Sequence, residues 1–202
     1  MNRKQLLGLA ATAMLVSAAL PTWAADPVRI GYTMARTGLF AAAAPSQEQA
    51  YELWRDQVNA DGGLDVVGER RPVEFVSYDD ESDPAKSAQL YERLITSDDV
   101  DLLLAPWGTP HHLNVAGIAE QYGFPIVGNT AASVAIREVQ PGNIWFPTSA
   151  IPDQIGPELA AMLGYSGITS VSIISNVLPF SQENLSFLTP ALKKAGIEIR
   201  MS

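Results

Sequence analysis

Leu102-Leu103-Leu104-Ala105-Pro106-Trp107-Gly108-Thr109-Pro110 runs from an apolar strand through a glycine turn into the start of a helix. Four consecutive apolar residues without alternation mark a strand buried on both faces. Thr109 before Pro110 predicts an N-cap followed by the first helical residue. The helix continues to Tyr122, with Leu113, Ala116, Ile118 and Ala119 on its inner side. Strand feeding helix in this way is the unit of a parallel sheet.

The same rhythm extends in both directions. Upstream, Val28 to Thr33 reads as a strand and Gln47 to Asn59 as a helix, with Ala50, Leu53, Trp54 and Val58 at helical spacing and Asp61-Gly62-Gly63 ending it. Pro72 to Tyr78 is a strand, and Pro84 to Thr96 a helix capped by Asp83. Downstream, Pro125 to Val127 and Ile144 to Phe146 are further strands. The order predicts an α/β fold: a parallel sheet flanked by helices. After Pro147 the pattern restarts with a helix at Pro152 to Leu163, a strand at Ser170 to Ser175, a helix at Ser181 to Ala195 and a strand at Ile197 to Arg200. The expectation is one nearly complete lobe over residues 25–147 and the beginning of a second over 148–202, which two strands are too few to complete. An open sheet edge from Ser170 to Arg200 would then invite aggregation or proteolysis.

Ahead of the first lobe, Arg3 and Lys4 precede an apolar run from Leu6 to Leu20, and Thr22-Trp23-Ala24 places small residues where a leader peptidase cuts. Met1 to Ala24 reads as a cleaved secretory leader, because the apolar run is shorter than the roughly 20 residues of a membrane span. The expected location is a periplasm. The chain contains no cysteine, so it has neither a disulfide nor a thiol for lipidation, and packing supplies the stability. Its formal charge of −9 argues against nucleic acid and anionic membranes as partners.

Several segments carry a family resemblance. Ile30-Gly31-Tyr32-Thr33, the helix end Val58-Asn59-Ala60-Asp61-Gly62-Gly63, the run from Tyr78 to Pro84, and Phe124-Pro125-Ile126-Val127-Gly128-Asn129-Thr130 occur in the order of the periplasmic Leu/Ile/Val-binding proteins. The resemblance implies a type I periplasmic binding protein fold, two α/β lobes that close on a solute. It also implies a role as the substrate-binding component of an ABC importer for branched-chain or other amino acids, amides or related small solutes. Its partners would be permease subunits of the inner membrane.

Candidate ligand residues cluster at the carboxyl edge of the sheet, where open α/β folds bind. In the turn of Trp107, Gly108 and Thr109, free helix amides and the helix dipole favour a carboxylate; a plain cap at Thr109 satisfies the same pattern. The resemblance implies that Thr109 holds the carboxylate of an amino acid. The second loop holds Asn129, Thr130, Ala131 and Ala132, whose oxygens would accept an ammonium or amide, or which simply form a turn capping a short helix from Ala131. Here Thr130 falls where the family uses a backbone carbonyl, and Ala132 where Leu/Ile/Val binders carry a threonine hydroxyl. A small amino acid or amide remains compatible with that change. Trp107 is either a lid over an apolar ligand or a core residue. Phe180 resembles the aromatic ring offered by the second lobe, and Phe40 lies on the same sheet edge.

Competing chemistry finds less support. Adjacent His111 and His112 face different directions on a helix, unlike a zinc pair. Asp79, Asp80, Glu81 and Asp83 lack the central glycine of a calcium loop. No Gly-x-Ser-x-Gly elbow suggests a hydrolase, and no glycine-rich phosphate cradle suggests a nucleotide, so neither an enzyme nor a cofactor is expected. A ligand-sensing receptor subunit with the same trap, or a non-functional fragment, stays open as an alternative.

Overall fold

The computed structural model describes residues 26–135, 144–145 and 151–201. The expected leader, Phe146 and the expected lobe boundary near Pro147 lie outside these residues. The first lobe contains β1 (Val28–Met34), α1 (Pro45–Ala60), β2 (Leu64–Val66), β3 (Glu69–Arg71), β4 (Val73–Asp79), α2 (Pro84–Thr96), β5 (Leu102–Leu104), α3 (Thr109–Tyr122), β6 (Ile126–Val127) and β7 (Ile144–Trp145). The second unit contains α4 (Pro152–Tyr165), β8 (Ser170–Ser172), α5 (Pro179–Lys194) and β9 (Glu198–Met201).

Five strands form a parallel sheet in the order β4-β1-β5-β6-β7. After β1 the chain moves outward to β4 and then returns to the other side of β1 at β5. The strand order therefore reverses beside β1, and loops leaving β1 and β5 diverge to open a crevice at their carboxyl ends. β8 and β9 form a separate parallel pair, and Ala160, Leu192 and Ile197 bury a small core beneath it.

Alternation along the strands assigns the two faces. Val28, Ile30, Tyr32 and Met34 of β1 pack with Val73, Phe75 and Leu104 on the α1 face. On the opposite face, Leu103, Val76 and Tyr78 meet Tyr91 and Leu94 of α2 and Val115, Ala116 and Ala119 of α3. Helices thus cover both faces, as the strand–helix rhythm predicts. Asp83 caps α2 as expected, accepting the Ala85 and Lys86 amides at 2.8 and 3.3 Å.

Two local expectations are corrected. Of the residues expected at helical spacing on α1, Ala50 is exposed and Leu53 is 60% exposed; the inward stripe runs through Gln47, Tyr51 and Val58 instead, with Trp54, 38% exposed, stacked on Phe75 at its edge. Gln47 and Tyr51 are tolerated there because both donate to backbone carbonyls at the end of β5. Thr109 is not the N-cap of α3. Gly108 takes that position at φ 88° and ψ 152°, a conformation essentially restricted to glycine, and Thr109 is already helical. Its hydroxyl turns away from its own helix to accept the Ala132 amide at 3.1 Å.

Candidate functional site

The turn after β5 and the loop after β6 meet at the crevice and are stitched together. The Gly108 amide donates to the Thr130 hydroxyl at 3.0 Å, and that hydroxyl donates to the Pro106 carbonyl at 3.4 Å. With the Ala132–Thr109 bond, this makes both loops one rigid unit. The hydroxyl of Thr130 is already engaged here, so the acceptors that its loop retains for a bound cation are mainly carbonyls.

A buried hub on α1 braces the unit from below. The Tyr51 hydroxyl donates to the Ala105 carbonyl at 3.1 Å and accepts Gln47 Nε2 and Asn129 Nδ2, both at 2.7 Å. Burial pushes its pKa up to about 12, although the bonds from Asn129 and Gln47 act the other way. Gln47 Nε2 also reaches the Ala105 and Pro106 carbonyls at 3.1 and 3.2 Å. The sequence reading missed this hub. Its only local signal is the polar pair Gln47 and Tyr51, four residues apart on a helix whose inner side should be apolar.

Above the loops lies a cavity of about 350 Å³, within the range of small-molecule sites. Its walls include Phe40, Trp107 and Phe180, and its floor is the Gly108–Pro110 turn and the Asn129–Ala132 loop. All eight residues singled out in the sequence, Trp107, Gly108, Thr109, Asn129, Thr130, Ala131, Ala132 and Phe180, line it. Trp107 packs on the core around Tyr32 and Met34, and its ring lies 5.0 Å from that of Phe40 in the cavity wall. Phe180 comes from α5 and is 45% exposed. Nearby, Glu183 of the same helix accepts the Val134 amide at 2.9 Å, tying the second unit to the β6 loop. The helix anticipated from Ala131 begins later, since Ala131 to Ser133 are not helical and the Ser133 hydroxyl accepts the Ala135 amide at 3.1 Å.

Both histidines are buried in α3, and they point to different partners. His111 Nε2 lies 3.4 Å from Asp80 Oδ1, in a buried cluster where Thr33 donates to Asp80 Oδ2 at 2.8 Å. The His112 ring contacts the Gly108 carbonyl. Among the described residues no group of three or more histidines or acids is placed to hold a metal. The acidic loop spends its oxygens on the fold: Asp79 accepts the Arg36 and Glu81 amides and the Thr37 hydroxyl, and Asp80 accepts the Ser82 amide. Burial works against the Asp79 carboxylate, yet these bonds hold its pKa below the ordinary value.

A family model for periplasmic binding proteins matches residues 27–201. The chain belongs to the periplasmic binding protein family. Solved structures share its fold. One is the branched-chain amino acid transporter substrate-binding protein LivJ from Streptococcus pneumoniae, in complex with isoleucine. It is 19% identical with a TM-score of 0.76, and the match covers 87% of this chain and 49% of LivJ. A solute-binding protein of an ABC transporter from Rhodopseudomonas palustris, in complex with 3,4-dihydroxybenzoic acid, is 23% identical with a TM-score of 0.73 over 87% of this chain and 46% of that one. Another from R. palustris, in complex with 4-hydroxybenzoate, is 24% identical with a TM-score of 0.70 over the same shares. The chain spans about half the length of these structures. Among the described residues no helix is long and apolar enough to cross a membrane.

Proposed function

We propose that this chain is a periplasmic solute-binding component of an ABC importer and that its cavity captures a small carboxylate with an apolar body, an amino acid or an aromatic acid. The carboxylate sits at the Gly108–Thr109–Pro110 turn, against the unpaired amides of the first turn of α3. The apolar body lies among Phe40, Trp107 and Phe180. An ammonium or amide group, where the solute has one, is received by the Asn129–Ala132 loop, largely through carbonyl oxygens. Permease subunits of the inner membrane are the proposed partners.

The observation that carries this reading is the combination of one helix N-terminus with three aromatic rings around a single cavity of about 350 Å³. The charge preference of the dipole and the apolar walls together select an amphiphilic anion over a sugar or a cation. Calorimetric titration of the purified protein with L-leucine, L-isoleucine, benzoate and 4-hydroxybenzoate, each beside its methyl ester, tests it. At least one acid should bind, and its ester should bind at least about tenfold more weakly, because a charge-assisted contact contributes more than 1.4 kcal/mol. Esters binding as well as acids, or no binding by any acid, would overturn the reading.

A further inference from the structure

The Gly108 carbonyl receives two donors from one residue. The His112 amide reaches it at 3.2 Å and His112 Nδ1 at 2.8 Å. A carbonyl oxygen only accepts, so Nδ1 must carry the proton. Burial, the leading cause, lowers the His112 pKa to about 4, with the neighbouring His111 adding to the shift and the Gly108 bond opposing it. At neutral pH the ring is therefore uncharged, and the Gly108 bond selects its Nδ1–H tautomer.

The bond bears on the proposed ligand contact through peptide geometry. Every described peptide bond is trans, so the Gly108 carbonyl and the Thr109 N–H lie in one plane and point in opposite directions. Holding the carbonyl inward toward His112 aims the Thr109 N–H outward, at the cavity floor. Glycine at the N-cap is the residue least able to hold that plane by itself. Its amide side is fixed by Thr130; its carbonyl is held by the backbone N–H of residue 112, as in any helix, and is locked further by the His112 ring.

We propose that His112 is a positioning residue of the ligand site, which as the Nδ1–H tautomer fixes the Gly108–Thr109 peptide so that the Thr109 amide faces a bound carboxylate. This rests on the carboxylate reading above. It also explains a buried histidine that neither metal binding nor apolar packing requires.

Nitrogen-15 NMR of the full chain labelled at histidine reads the tautomer without any ligand. The expected result is a protonated Nδ1 and a bare Nε2 on His112; a protonated Nε2 with bare Nδ1 overturns the proposal. Three variants then separate positioning from packing. His112→Asn keeps an N–H at the δ position, His112→Gln moves it to the ε position, and His112→Leu removes it. All three lower Tm. With benzoate and L-leucine as probes, affinity in His112→Asn stays within about threefold of the parent, while Gln and Leu lose about tenfold, as the loss of one oriented hydrogen bond predicts. If the loss of affinity in the Asn variant equals that in the Leu variant, the role is packing and the proposal fails. Should the parent bind neither probe nor the other two acids named above, the functional reading fails on its own, and the tautomer still decides whether His112 holds Gly108.

Discussion

Replacing Tyr51 by Phe removes one oxygen from the hub under the two cavity-lining loops, and the structure allows its cost to be worked out group by group. Gln47 Nε2 loses one partner but keeps the Ala105 and Pro106 carbonyls. The Ala105 carbonyl keeps Gln47. Asn129 Nδ2, which donates to the Tyr51 hydroxyl at 2.7 Å, is the group that is stripped. A buried donor left without a partner costs about 1–3 kcal/mol, and Asn129 is only half-buried, so about 1–2 kcal/mol is expected. For a chain of this length that lowers Tm by about 2–8 °C. Because Asn129 lies in the β6 loop, the dissociation constant for a bound carboxylate should rise as well, by about three- to tenfold. Thermal melts followed by circular dichroism, with calorimetric titration beside them, measure both effects. The decisive comparison is the double-mutant cycle with Asn129→Ala. If the hydroxyl acts through Asn129, the two changes together cost less than their sum by on the order of 1 kcal/mol. Strict additivity, or a Tyr51→Phe protein that melts within about 1 °C of the parent, would refute the hub as a brace of the cavity-lining loops.

Thr109→Ala removes the acceptor of the Ala132 amide and should weaken carboxylate binding about three- to tenfold with a small loss of Tm; unchanged affinity argues against this contact as part of the site. Gly38→Ala places a Cβ 2.4 Å from the Glu81 carbonyl oxygen at a φ of +83°, so a destabilisation of at least about 1–3 kcal/mol is expected in urea unfolding, and an unshifted midpoint contradicts the turn. Tyr32 and Tyr51 both have pKa values raised from 10.0 to about 12, Tyr32 by burial and then by the Glu48 carboxylate. The folded state therefore retains protons that the unfolded chain releases. Their stabilisation is complete below pH 10 and is lost as pH rises from 10 through about 12, each group steepening the decline by about 1.4 kcal/mol per pH unit. Urea midpoints across that window should fall, and fall less steeply in Tyr32→Phe; a flat profile would rule the two tyrosines out as the source.

Much of the fold is legible because its signals are local. Asp83-Pro84 specifies the start of α2 through a side chain and a ring that act on their own helix, and Pro84–Thr96 is helical over the very residues that the sequence predicts. Signals fail where the decisive partner is remote. Thr109 has the composition of a cap, yet its hydroxyl serves Ala132, a residue 23 positions away. The β2–β3 hairpin escapes notice because its strands are three residues each, and its turn puts Val67 at φ 54° beside Gly68 at 86°. A β-branched residue at positive φ is not a turn signal that composition offers. Within the site, the cavity-lining loops could be anticipated because they leave strand ends at a sheet edge. Tyr51 and Asn129, 78 residues apart, have no sequence mark that joins them.

That division has a functional consequence. The Gly108 turn is held by Thr130 from the β6 loop and by His112 from its own helix, and Tyr51 on α1 ties the end of β5 to Asn129. Every one of these braces lies within the first lobe. The donors proposed to meet a carboxylate are thus oriented before Phe180 of α5 comes over them, and little loop ordering remains to be charged against binding. Affinity should then be governed by how well the second unit completes the apolar wall. Truncating Phe180 to Ala should accordingly raise the rate of ligand dissociation while leaving the rate of capture nearly unchanged, because the first-lobe loops of the proposed site are braced without it. Stopped-flow titration of tryptophan fluorescence separates the two rates. A fall in capture rate with unchanged dissociation would mean that the first-lobe loops are not ordered in advance and that Phe180 helps to assemble them.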